Sequence, residues 1–108
     1  MIYEYRCYTV APGKMNALQD RFRNHALKFF EKYEITPVAF FTPIISDSSQ
    51  KFTFIIGFKS LAHRETAWSA FMADKDWQKV VEESHKDGII VTNVENKIFA
   101  PTDFSPLK

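Results

Sequence analysis

The segment Lys51-Phe52-Thr53-Phe54-Ile55-Ile56-Gly57-Phe58 limits what this chain can fold into more than any other. In an extended strand, Phe52, Phe54, Ile56 and Phe58 fall on one side and Thr53, Ile55 and Gly57 on the other. A strand with one wet face alternates apolar with polar residues. Here neither side is clearly polar, so both faces are expected to be covered. Such a strand belongs inside a sheet.

Its neighbours follow from their patterning. Ile2 to Val10 alternates, with Ile2, Glu4, Arg6, Tyr8 and Val10 on one side and Tyr3, Tyr5, Cys7 and Thr9 on the other. This aromatic-rich run reads as a strand, ended by Ala11-Pro12-Gly13. Met15, Leu18, Phe22, Ala26, Phe29 and Tyr33 recur at spacings of three and four, which predicts one helix over 14–33. Arg21, Arg23, Lys28 and Lys32 then form a solvated face. Thr36 to Ser46 reads as a second strand. Its Pro37 and Pro43 suit a sheet edge, since a central strand needs every amide donor. After a polar turn at Asp47–Gln50 comes the strand 51–58. Ser60 is a candidate N-cap for a helix over 61–73, with Leu61, Arg64/Glu65, Trp68, Phe71 and Met72 on its stripe. Asp74 or Asp76 caps a short helix over 75–85, and Gly88 ends it. Ile89 to Phe99 is the last strand.

The order is βαββαβ. The expected class is α+β: a ferredoxin-like antiparallel sheet with helices on one face and the first and third strands central. A length of 108 residues suits one domain. Residues 1–100 are read as that domain and 101–108, with Pro101 and Pro106, as an extended tail.

Helices on one face leave the other uncovered. The second face of strand 51–58, the pairs Phe40-Phe41 and Ile44-Ile45, and the run Ile89-Ile90-Val91 together suggest a large apolar patch. At ~25 cal/mol per Å², its burial would contribute on the order of 10 kcal/mol before association costs. The simplest cover is a second copy of the chain, sheet against sheet, which predicts a homodimer.

Charge and composition narrow the partners. With 14 basic and 13 acidic residues and a net charge of +1, no nucleic-acid partner is expected. No apolar stretch approaches the ~20 residues of a membrane helix. Cys7 is the single cysteine, which points to a reducing cytoplasm. His25, His63 and His85 fit no metal-ligand spacing, so neither metal nor cofactor is expected.

Three segments resemble a known family. Ile2-Tyr3-Glu4-Tyr5-Arg6-Cys7-Tyr8 through Pro12-Gly13 resembles the I-Y-E-x-R-x-Y-x-x-x-P-G opening of the NIPSNAP family. Ser60-Leu61, Arg64 and Trp68 look like its S-L-x-x-R-x-x-x-W segment, continued by Phe71 to Trp77, and Ile98 to Leu107 is similar to its ending. The resemblance implies a dimeric α/β barrel, formed by two ferredoxin-like protomers pairing their sheets. That superfamily includes small cofactor-independent monooxygenases, haem-degrading enzymes, lactone isomerases and plain binding proteins.

The candidate pocket is Arg6, Tyr8, Arg64 and Trp68. Arg64 lies on the apolar stripe of its helix. It is either an anion clamp or a structural ion pair whose stem packs on Trp68. Glu4 and Arg6 on the first strand, with Glu95 and Lys97 on the last, could form a cross-strand network. Two functions are open. One is a module binding a small apolar molecule or a partner. The other is a small enzyme of monooxygenase or isomerase type, in which Arg64, Arg6 or Tyr8 holds a polar group and Trp68 excludes water.

Overall fold

The computed structural model describes residues 1–108. Its elements are β1 (Ile2–Val10), α1 (Met15–Arg21), a π-helical turn (Phe22–Ala26), α2 (Leu27–Lys32), β2 (Thr36–Phe41), β3 (Lys51–Phe58), α3 (Leu61–Ala73), α4 (Lys75–Ser84) and β4 (Val91–Phe99). The strands form one antiparallel sheet in the order β2-β3-β1-β4. β1 and β3 are central, and the proline-bearing β2 is an edge. Residues 100–108 form neither helix nor strand. No helix is long and apolar enough to cross a membrane.

Phe52, Phe54, Ile56 and Phe58 point to the helices and are nearly or fully buried. They meet Leu18, Phe22, Ala26 and Phe30 from the first helical segment and Ala67 and Phe71 from α3. The π-helical turn explains how the first segment reaches them. Residues 18, 22, 26 and 30 are each four apart, and on a 3.6-residue helix every such step drifts by about 40°. A wider turn takes up the drift and keeps these residues on one face. Strict α periodicity expected Phe29 in the core, but Phe30 is the fully buried one.

The closed barrel is corrected: the sheet is open, and β2 and β4 are separate, unjoined edges. The homodimeric α/β barrel therefore does not describe this chain. The apolar patch behind that expectation shrinks when each residue is placed. β2 stops at Phe41, so Ile44 and Ile45 lie in the following loop, almost fully exposed. β4 begins at Val91, and Ile90 is core. Opposite Thr9, Cys7 and Tyr5, β4 sets Asn93, Glu95 and Lys97, so that side of the strand is mainly polar. Gly57 lets Met1 and Tyr3 lie across the sheet there, because a Cβ on it would come within 2.9 Å of the Met1 methyl.

Phe54 is fully buried and touches the rings of Tyr8, Phe22, Phe40 and Phe52. Phe54→Ala is expected to cost about 3–5 kcal/mol, read as a lower urea midpoint with an unchanged slope.

Candidate functional site

Glu4 is fully buried on the helix-facing side of the central strand β1. A carboxylate there must be paired or lose its charge. Arg64 on α3 donates Nε to Glu4 Oε1 at 2.9 Å and Nη2 to Oε2 at 3.2 Å. Arg6, two residues along the strand, donates Nη1 to Oε2 at 2.7 Å. Asn96 of β4 donates Nδ2 to the same oxygen at 3.1 Å. Burial pushes the carboxyl pKa up, but the donors Arg64, Arg6 and Asn96 outweigh it and hold the pKa below the usual value. Two guanidiniums thus share one carboxylate, and Arg64 reaches a second, Glu65, at 2.8 Å.

Beside this network lies a cavity of about 240 Å³. It opens where the helices stop short of β4, leaving Val94 and Ile98 on the helix side 44% and 39% exposed. Arg6, Tyr8, Trp68, Phe71 and Trp77 line it, with Arg21 from α1. The aromatic wall is continuous: ring centroids lie 5.2 Å apart for Trp68–Phe71 and 4.7 Å apart for Phe71–Trp77. The Arg6 guanidinium sits 4.5 Å from the Trp68 ring, and that of Arg21 lies 5.9 Å from the Trp77 ring. Arg21 also donates to Ser84 Oγ at 3.3 Å. Burial pushes its pKa down, partly offset by Tyr8, yet a guanidinium stays charged at neutral pH.

Asp74 positions the Trp77 end of that wall. It is the N-cap of α4 and accepts from the amides of Asp76 at 2.8 Å and Trp77 at 3.0 Å. Lys32 bonds its second oxygen at 2.8 Å, and the Tyr33 hydroxyl donates to the same oxygen. Lys32, then Tyr33, then the Trp77 amide hold this carboxyl well below the usual carboxylate range. One side chain therefore ties the end of α2 to the start of α4.

Of the four residues chosen from sequence, Arg6, Tyr8 and Trp68 line the cavity. Arg64 is not on its lining, and its guanidinium is engaged by Glu4 and Glu65. The four-charge strand network does not form. Glu95 and Lys97 pair with Cys7 and Tyr5 and so face away from Glu4 and Arg6. Asn96, paired with Arg6, takes that place. Sequence reasoning missed Arg21 and Asn96. The charge pattern puts Arg21 on a solvated face, although it stands three residues after Leu18, beside the apolar stripe. No cluster of His, Cys, Asp and Glu comes together to hold a metal ion.

The NIPSNAP family model matches residues 3–106. The chain belongs to the NIPSNAP family. It is similar to the crystal structure of a NIPSNAP family protein of unknown function from Agrobacterium tumefaciens, at 27% identity and TM-score 0.86, covering 100% of this chain and 94% of the other. An uncharacterized NIPSNAP-like domain protein from Burkholderia xenovorans shares 21% identity at TM-score 0.84, with 97% and 88% covered. A putative antibiotic biosynthesis monooxygenase from Nitrosomonas europaea has TM-score 0.59 at 12% identity, with 94% and 98% covered, a likeness of fold alone. No curated protein matches the chain.

Glu4→Gln should cost about 3 kcal/mol by leaving the part-buried Arg6 without its charge partner and Arg64 with only the exposed Glu65. The sign of the acid dependence follows from the depressed pKa values. Glu4 and Asp74 contribute fully above their unfolded values of about 4, and the contribution is lost as pH falls through the lower folded values. Urea titrations at stepped pH should therefore show wild-type stability falling below about pH 4. Glu4→Gln should fall less steeply.

Proposed function

We propose that this NIPSNAP-family protein is a binding module that takes a small apolar or aromatic molecule into the cleft between β4 and the helices. One observation carries the reading: a cavity of about 240 Å³ is walled by Tyr8, Trp68, Phe71 and Trp77 and also lined by Arg6 and Arg21. Ligand sites combine apolar walls with a few placed polar groups in this way. The elements around the cleft are fixed from outside it. Glu4 holds Arg6 and joins α3 to β1 through Arg64, and Asp74 holds the start of α4. A wall fixed before binding loses little entropy when it closes on a ligand. The lone cysteine, Cys7, is buried and unpaired, which fits a protein kept in a reducing cytoplasm.

Trp68 and Trp77 are the two tryptophans of the chain, and both line the cleft. Intrinsic emission therefore reports on this site. Titration with the neutral fluorophore N-phenyl-1-naphthylamine should quench tryptophan emission saturably and sensitise the probe. Trp68→Ala should weaken its binding roughly tenfold, the equivalent of ~1.4 kcal/mol. A linear, non-saturating response, or equal affinity in Trp68→Ala, would count against the cleft as a binding site.

A further inference from the structure

The cleft is not electrically neutral. Its eleven lining residues include two arginines and no carboxylate. Arg6 shares Glu4 with Arg64. Arg21 has only the Ser84 hydroxyl and the face of Trp77. The Nε atoms of both Arg6 and Arg21 are buried and meet no acceptor from the protein. A buried donor without an acceptor is costly, and a charged one more so. In each arginine the engaged group is Nη1, and Nη2 makes no bond to the protein. Acidic residues elsewhere do not answer this charge. Asp20, the nearest acid to Arg21 in sequence, is exposed and paired with Arg23 at 2.8 Å.

We infer that the ligand of this cleft carries a carboxylate, seated against the guanidiniums of Arg6 and Arg21, with its apolar body against Trp68, Phe71 and Trp77. This rests on the cleft being the ligand site and adds the chemical class of what enters it. A carboxylate supplies acceptors to guanidinium N–H groups that the protein leaves unbonded, and a negative charge to a lining with two arginines and no carboxylate. Arginine suits the task because its planar fork matches the carboxylate and its face stacks on indole. Glu4 then has a second part: by holding Nη1 of Arg6 it fixes which edge of that guanidinium is presented. Arg21 is the residue that separates an acid from its neutral analogue, because it has no carboxylate of its own.

Isothermal titration calorimetry of the full chain with 3-phenylpropionate and with 3-phenylpropanamide at neutral pH and fixed ionic strength tests this. The two probes share the aromatic body and differ in charge. The acid should bind at least tenfold more tightly than the amide. Arg21→Met, checked for its fold by circular dichroism, should bring the acid down to the level of the amide. Equal affinity of acid and amide for the wild type overturns the carboxylate assignment and leaves the apolar cleft standing. Binding of neither probe overturns both. A preference for the acid that persists in Arg21→Met overturns the role of Arg21. The wild-type comparison decides the ligand class even where Arg21→Met does not fold.

Discussion

A carboxylate with no exposed surface sits on the central strand, and its neighbours are arranged to keep it ionised. Glu4 ties three elements together: its own strand through Arg6, α3 through Arg64 and the edge strand β4 through Asn96. The effective penalty for burying one ion is several kcal/mol, and only closely placed donors offset it. The positions of α3 and β4 relative to β1 are therefore coupled to one oxygen pair. Arg6 is fixed as a consequence, pressed on the face of Trp68 at the lining of the cleft.

The apolar core supplies the remaining order. A run of phenylalanines from the π-helical turn, β2 and β3 packs edge to face or tilted, with Phe22 in contact with Phe30, Phe40, Phe52 and Phe54. This core fills the space over β3 and β1 and leaves β4 only partly covered. The cleft is what remains there, closed on one side by α3 and α4 and on the other by the strand edge. Fold and site share an origin in helices that cover three strands better than four.

The alternation of Ile2–Val10 and the two apolar faces of Lys51–Phe58 made both central strands legible to the residue, and Ser60 marked the start of α3 through its bond from the His63 amide. Proline placed β2 at an edge. The π-helical turn was not legible, because spacings of four are compatible with an α-helix over short runs. The apolar pairs were the main source of error. Ile44-Ile45 and Ile89-Ile90 look like strand residues, but they fall in loops or at a loop's end, and the sheet-to-sheet homodimer rests on surface the sheet does not have. At the site, Arg6, Tyr8 and Trp68 could be found because charge or ring appears on a face expected to be apolar. Arg21 could not, since its surroundings depend on how α1 and α4 pack, which no local pattern encodes.

The Glu4 network can be measured without a ligand. A carbon-detected NMR titration of the Glu4 side-chain carboxyl reads its ionisation in the folded protein directly. The carboxyl should titrate below the ordinary glutamate value of about 4.3, with Arg64, Arg6 and Asn96 holding the charged form. A midpoint at or above that value would mean that burial outweighs the donors. The arginine pair would then not be held by a buried charge.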